Sequence, residues 1–170
     1  QRIAEYEAQR IAEGREYLIG LKTGYRYEKD TRVEIDPFVG LKPEDMKSVR
    51  GVCLDGPPTR QTLVLMTHLD YGKAHVTITD KAAGNDGLFP PLPEAIRYLE
   101  VNESSSEGIK KYDHLGKLTS LVCLRLHALC GPKIDLNLIK ADAQLVYLDL
   151  SMQTLDNTDA LAGLERLKYL

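Results

Sequence analysis

The chain has 170 residues, its hydrophobic fraction of 43% suffices for a continuous core, and its formal net charge is −3. This length indicates one domain, and the acidic balance disfavours nucleic acid or an anionic membrane as the partner, because both require a basic surface. No apolar run approaches the roughly 18 residues of a transmembrane helix. The three cysteines are unclustered, which is typical of a reducing compartment, so we predict a cytoplasmic protein.

Residues 1–20 are predicted to form a helix. Its apolar side chains recur at helical spacing on one face: Ala4, Ala8, Ile11 and Leu18. Because a single amphipathic helix of this length is marginal in water, it has to pack against another part of the protein. We expect a helical cap at the N-terminal end of the core, and a coiled-coil contact with a partner is the alternative.

Residues 21–47 are predicted to connect this helix to the rest of the chain. Two short segments, 25–27 and 32–35, alternate their faces as strands do. Pro43-Glu44-Asp45 is suited to start a short helical turn. We therefore assign residues 1–47 to a capping and connecting region and residues 48–170 to a second, repeating part.

One motif recurs through the second part at near-constant intervals. Leu121-x-x-Leu124-x-Leu126 returns 24 residues later as Leu145-x-x-Leu148-x-Leu150, and variants of it start at positions 49, 73, 96 and 167, of which Lys73 is not apolar. Because a strand alternates its faces, the fourth and sixth residues of each unit point to the same side. One unit can bury that side only against its neighbours, so the spacing predicts stacked units with adjacent strands. A βαβ sheet with fortuitous leucine spacing is the alternative, and six starts at similar intervals disfavour it.

This pattern resembles the leucine-rich-repeat family, whose units span about 20–29 residues. The resemblance covers residues 96–170 strongly and 49–78 more weakly, and it does not extend to residues 1–45. It implies an α/β solenoid, a right-handed superhelix with a parallel sheet on its concave side and five to six units over residues 48–170. The family usually places Asn at the ninth position of a unit, where this chain has Pro57, Lys81, Ser104, Leu129 and Gln153. We therefore expect other side chains to satisfy the backbone at the turns.

Apolar segments between the strands are predicted to cover the opposite, convex side of the core. Residues 62–69 and the extended run 88–93 supply such side chains, and residues 109–118 and 161–167 have the spacing of helix faces. Residues 134–141 are shorter and are predicted to be 3₁₀ or irregular.

The sequence contains no recognisable catalytic or metal-binding motif. There is no Gly-rich phosphate loop, no G-x-S-x-G, no H-E-x-x-H and no Cys/His cluster. Cys123 and His127 share a predicted strand face, but four strand residues span roughly 13 Å, too far for a nucleophile and its base. We predict that the protein is not an enzyme and that it uses no cofactor or metal.

The predicted binding residues lie on the outward side of the strands, at the third, fifth, seventh and eighth positions of each unit. Tyr is enriched at binding surfaces, because its ring buries area while its hydroxyl stays hydrogen-bonded. We also expect a cross-strand charge ladder formed by Glu100, Arg125 and Asp149. The candidate partner-binding residues are Tyr98, Glu100, Arg125, His127, Tyr147, Asp149 and Tyr169.

The family resemblance implies a non-catalytic module that binds a protein partner on its concave face. The alternative is a sensor or scaffold fragment of a larger multidomain regulatory or effector protein whose catalytic domain is absent here. The last unit starts at Leu167 and stops at its fourth position, Leu170. We expect that end to be open, which predicts either further repeats or end-to-end self-association through the C-terminal repeat.

Overall fold

The computed structural model describes residues 40–104, 108–128, 133–151 and 153–170, and three short strands before them. In the described part of the chain the strands are β1 (Leu21–Lys22), β2 (Arg26–Glu28), β3 (Thr31–Val33), β4 (Gly51–Leu54), β5 (His75–Thr79), β6 (Tyr98–Glu103), β7 (Cys123–Ala128), β8 (Ile134–Asp135), β9 (Tyr147–Asp149) and β10 (Leu155–Asp156). The helix and cap predicted for residues 1–20 lie outside the described residues.

Six of these strands form one parallel sheet in the order β1-β4-β5-β6-β7-β9. A second, two-stranded parallel sheet joins β8 and β10, and β2 and β3 form an antiparallel hairpin. Few helices accompany the sheets, so the chain has an α/β arrangement built on parallel strands. From β4 to β9, neighbouring strands of the main sheet are separated by about one repeat unit along the sequence.

The pairing register agrees with the predicted alignment of the units. Leu99 pairs with Leu124, and Leu124 pairs with Leu148, while Gly51 pairs with His75. An isolated bridge from Tyr147 to Tyr169 adds the last unit to the same edge. One strand was not predicted: Leu21 of β1 pairs with Val52, and that interval of 31 positions is longer than those between the later units.

The core lies on one side of the main sheet. In β5 and β6 buried and half-buried residues alternate strictly along the strand, as expected when one face alone packs on a core. The fourth and sixth positions of the units are at most 2% exposed at Val52, Leu54, Val76, Ile78, Leu99, Val101, Leu124, Leu126 and Leu148. Leu170 has the same position in the last unit and is 76% exposed.

Short helical segments and an extended run close the other side of the core. The α-helix α1 spans Arg60–Met66 and begins at Thr59, whose side chain accepts a hydrogen bond from the amide of Thr62 at 3.1 Å. Phe89 and Leu92 of the extended run are buried, as predicted. The 3₁₀ helices are Asp45–Ser48, Asp80–Asp86, Asp113–Lys117, Leu136–Leu138 and Thr158–Gly163.

Two of these segments correct the sequence analysis. The spacing within residues 109–118 and 161–167 predicted helix faces, but the structure has the 3₁₀ helices Asp113–Lys117 and Thr158–Gly163 there. A 3₁₀ helix rises about 2.0 Å per residue against about 1.5 Å in an α-helix, so it returns the chain to the next strand with fewer residues. Gly116 and Gly163 also weaken an α-helix.

Aspartate side chains accept hydrogen bonds from backbone amides at several turns, as Asp135 does from Asn137 at 2.9 Å. Asp80 Oδ2 accepts hydrogen bonds from Ser104 Oγ at 3.0 Å and from the Ser104 amide at 3.4 Å. Asp135 Oδ1 accepts one from Asn157 Nδ2 at 2.8 Å. These contacts join residues 24 and 22 positions apart, so the polar side chains repeat at the same interval as the leucines.

Asp142 places a carboxyl group where three other units have a buried apolar side chain. It lies three residues before its unit starts, as do Met46, Leu118 and Leu164, which are at most 4% exposed. Asp142 is 3% exposed, and neither of its carboxyl oxygens has a hydrogen-bond partner within normal geometry in the described regions. Burial raises the pKa of Asp142 to about 7, and the nearby backbone amide of Leu121 lowers it only in part.

We expect Leu124→Ala to reduce the free energy of unfolding by roughly 2–5 kcal/mol, because the side chain is fully buried between two neighbouring strands. Val64 is 54% exposed, so Val64→Ala is the control and should change it by less than about 0.5 kcal/mol. Chemical denaturation measures both. Equal effects of the two substitutions would contradict the assignment of the core.

We expect Asp142 to lower stability as the pH rises from about 4 towards 7, because over this range the folded chain retains a proton that the unfolded chain has lost. The folded chain holds a proton with a pKa of about 7, whereas the unfolded chain has lost it above its ordinary value of 3.8. Thermal melts across this range should show a flatter profile for Asp142→Asn. Asp113→Asn, at an exposed position, is the control and should keep the wild-type slope; parallel profiles for wild type and Asp142→Asn would refute the expectation.

Candidate binding face

The side of the main sheet that faces away from the core carries a continuous set of polar and aromatic side chains. We call it the open face; its members are Cys53, Asp55, His75, Thr77, Thr79, Tyr98, Glu100, Asn102, Cys123, Arg125, His127, Tyr147, Asp149, Ser151 and Tyr169. Parallel sheets are ordinarily covered on both sides and are then apolar on both. Here the side away from the core carries polar and aromatic groups, and most of them are half-buried.

Aromatic rings occupy neighbouring strands along one line of the open face. The rings of His75 and Tyr98 stack with centroids 4.4 Å apart and planes 4° apart. The rings of Tyr147 and Tyr169 are 6.2 Å apart and tilted by 37°. Ring contacts of this kind favour particular orientations of the side chains.

Two members of this line are more buried than the sequence analysis expected. Cys123 is 3% exposed and Tyr147 is 6% exposed. Strands are about 4.8 Å apart, and the small Cys123 is paired with Tyr98 on one neighbouring strand and with Tyr147 on the other, so larger side chains flank it. Tyr147 in turn lies beside the ring of Tyr169. Tyr147→Ala is therefore expected to lower stability, although the sequence places Tyr147 on the outward side of its strand.

The predicted charge ladder is present between Arg125 and Asp149. Arg125 Nε lies 3.1 Å from Asp149 Oδ2, and His127 Nε2 lies 3.1 Å from the same oxygen. Ser151 donates to the other oxygen, Oδ1, from its hydroxyl at 2.5 Å and from its amide at 3.1 Å. We call Arg125, His127, Asp149 and Ser151 the Asp149 network. The carboxylate thus contacts two side chains of β7 and receives donors from the turn after its own strand.

The network keeps its central pair ionised at neutral pH. Burial raises the pKa of Asp149, but the hydrogen bonds from Ser151, His127 and Arg125 together outweigh it and hold the pKa well below its usual range. Burial lowers the pKa of Arg125. The hydrogen bond to Asp149 and the charge of Glu100 outweigh this effect, so the pKa is raised above its ordinary value. Glu100, the predicted third member of the ladder, acts on Arg125 through its charge. It also accepts a hydrogen bond from Asn102 Nδ2 at 3.0 Å.

A polar groove lies where β4, β5, β6 and β7 end, beside the open face. It encloses about 280 Å³ and is lined by Asp55, Thr79, Asp80, Lys81, Asn102, Glu103, Ser104 and His127. A second cavity of about 490 Å³ lies beside the last unit and is lined mainly by apolar and aromatic residues, among them Leu161, Tyr169 and Leu170. The described surface therefore includes a polar recess and a largely apolar one.

Glu103 corrects the sequence analysis, which placed it on the outer side or the rim. It is 4% exposed, because β6 keeps its alternation to its last residue and so directs Glu103 to the same side as Leu99 and Val101. Tyr112 donates a short hydrogen bond to Glu103 Oε1. Burial raises the pKa of Glu103, the bond from Tyr112 lowers it, and the charge of Asp80 raises it further.

The structure groups the seven predicted residues into three sets. Arg125, His127 and Asp149 meet in the Asp149 network, with Glu100 on the next strand. Tyr147 and Tyr169 form a ring pair, and Tyr98 stacks on His75 two strands away.

Sequence reasoning missed the donor role of Ser151 and the contacts of Asp80 and Glu103. The interval of 24 residues between Asp80 and Ser104 equals the repeat, and it was the available signal for the first of these contacts.

Within the described ranges no three His, Cys, Asp or Glu side chains come together in a way that holds a metal ion. None of the helices in those ranges has the length and apolar character needed to cross a membrane. Comparison of the chain with protein families, with curated proteins and with solved structures found no match.

We expect Asp149→Asn to lower the free energy of unfolding at neutral pH by roughly 1.5–3 kcal/mol, the range for hydrogen bonds to a charged group. The pKa of Asp149 is depressed in the folded chain, so its contribution is complete above the unfolded value of 3.8 and is lost as the pH falls below it. Denaturation at several pH values should show the two proteins converging in acid. A constant difference down to pH 2 would contradict this linkage.

Proposed function

We propose that residues 48–170 form a leucine-rich-repeat solenoid and that its open face binds a protein partner. Three features support the repeat assignment: successive parallel strands, leucines in register between them, and cross-strand hydrogen bonds at the same interval. Thr79 Oγ1 reaches Asp55 over 24 residues, Arg125 reaches Asp149 over 24, and Lys133 reaches Asp156 over 23. A chain that repeats both its core and its polar contacts at one interval is typical of stacked units.

The observation that carries the binding proposal is the composition and order of the open face. Half-buried aromatic and charged side chains cover one side of a parallel sheet, and hydrogen bonds and ring stacking already fix their orientation. Tyr and Arg are the residues that most often dominate protein–protein interfaces. A face whose side chains are ordered beforehand loses little conformational entropy on binding.

The proposal is tested by quantitative capture of proteins from a cell extract on the immobilised 170-residue chain. Glu100→Lys reverses a charge in the middle of the open face, beside Arg125 and two residues from Tyr98. Glu94→Lys makes the same change at an exposed turn before the same strand and is the matched control. We expect a protein bound by the wild type and by Glu94→Lys to be lost with Glu100→Lys.

Tyr98→Ala provides a second probe of the open face that changes no charge. It removes the half-buried ring that stacks on His75, and it should weaken capture of the same protein. Thermal melts must show that both variants remain folded. A captured set that is the same for wild type, Glu100→Lys and Tyr98→Ala would reject the open face as the binding surface.

A further inference from the structure

The carboxyl group of Asp142 lies inside the stack, between two units. The amide of Asp142 donates to Ile139 O at 3.0 Å. In the next unit the amide of Leu164 donates to Leu161 O at 3.0 Å, so the backbone makes the same turn. Asp142 therefore holds the position that Leu118 has in the unit before it and Leu164 in the unit after it. Both leucines are buried, as Asp142 is, so a carboxyl group interrupts a column of apolar side chains.

This carboxyl group is enclosed without the hydrogen bonds that an ionised form requires. Neither of its oxygens has a partner within normal geometry in the described part of the chain. An enclosed carboxylate without partners is strongly disfavoured, whereas the protonated form carries no net charge. Burial accordingly raises the pKa of Asp142 to about 7, and the amide of Leu121 lowers it only in part. Near neutral pH, ionisation therefore favours any arrangement in which water reaches the group.

The charged side chains around Asp142 lie at the surface and do not replace these missing contacts. The 3₁₀ helices Asp113–Lys117 and Thr158–Gly163 pack on either side of Leu136–Leu138, the helix that precedes Asp142. The pKa of Asp142 is set by burial and by the Leu121 amide rather than by neighbouring charges. The titratable side chains on these helices and on residues 139–146 and 164–166 are exposed, apart from the half-buried His114; they are Asp113, His114, Lys117, Lys140, Asp159, Glu165 and Arg166.

Residues 155–170, which we call the C-terminal segment, pack loosely against the unit that contains Asp142. Leu164 alone is buried among the described residues of this segment, and residues of the segment and of β9 line a cavity of about 490 Å³. The backbone pairing is short: β10 joins β8 over two residues, and Tyr169 forms an isolated bridge to Tyr147. Because stacked units contact mainly their neighbours, a segment held in this way can separate without unfolding the rest.

We propose that Asp142 is a pH-sensitive switch whose ionisation releases the C-terminal segment from the stack while the strands from β4 to β9 stay paired. Release removes Leu164 from the column and admits water, and the carboxyl group then gives its proton to a water molecule. In acid the protonated group favours the closed stack, and the balance moves towards release as the pH rises. The ring of Tyr169 leaves that of Tyr147 on release. This inference concerns the fold itself and does not depend on the proposed function.

Amide hydrogen exchange of the 170-residue protein, followed by NMR and corrected for intrinsic exchange rates, tests the switch. The reporters are the amides of Leu164, Leu167 and Tyr169, which donate to backbone oxygens. Between about pH 5 and 6 their opening constants should rise by about tenfold per pH unit, the slope for loss of one proton. The amide of His75, which donates to Arg50 O at 3.0 Å, reports opening of the main sheet. Its opening constant should be smaller than those of the reporters by roughly tenfold or more at every pH, as expected when a segment opens separately.

Three variants identify the group responsible. Asp142→Leu supplies the side chain that Leu118 and Leu164 have at this position, and it should remove the pH dependence of the reporter amides. Asp142→Asn has no ionisable group and should do the same, which keeps the test decisive should the larger leucine disturb the core. Asp159→Asn, at an exposed position within the C-terminal segment, is the matched control and should keep the wild-type slope.

Three results would each overturn the inference. The reporter amides would open no more readily than the amide of His75, which would mean that the stack opens only as a whole. Their opening constants would be independent of pH in the wild type. Either variant of Asp142 would keep the wild-type slope, which would assign the pH dependence to another group.

Discussion

The parallel pairing of equivalent residues is the constraint on which the rest of this structure depends. Once Leu99 pairs with Leu124 and Leu124 with Leu148, alternation along each strand fixes which side chains enter the core. A shift of one residue would exchange the two sides of the sheet. The same register aligns Arg125 with Asp149 and brings His75 against Tyr98, so the order of the open face is a consequence of the order of the core.

Polar groups inside this stack depart from the repeating pattern at two places. Asp142 replaces an apolar residue, and Glu103 ends a strand with its carboxyl group on the core side. A buried carboxyl group that lacks hydrogen bonds lowers the stability of the fold. Both residues also interrupt units whose buried positions are otherwise mostly apolar. Departures of this kind are expected where a sequence serves a purpose besides folding. Within the described residues, neither the second oxygen of Glu103 nor the carboxyl oxygens of Asp142 have a hydrogen-bond partner.

The sequence predicted the main sheet because apolar spacing is a strong signal when it repeats. It missed β1, since the interval from Leu21 to Val52 differs from the others. It predicted helix faces where 3₁₀ segments occur, because spacings of three and four residues do not distinguish the two helices. Alternation identified the face of Tyr147 but not its burial, which depends on the ring of Tyr169. Likewise, the hydrogen bond from Ser151 to Asp149 depends on side-chain rotamers that periodicity does not determine.

The order of the main sheet also determines how the chain would respond to a pulling force. Strands from β4 to β9 pair only with the strands before and after them in that sheet, so load applied along the stack passes through every strand pair in series. The pair with the weakest backbone and side-chain bonding opens first, and the others stay closed. Each unit released in this way adds roughly 80 Å of extended chain, at about 3.4 Å per residue. Mechanical extension would therefore proceed in regular steps whose length reports the repeat itself.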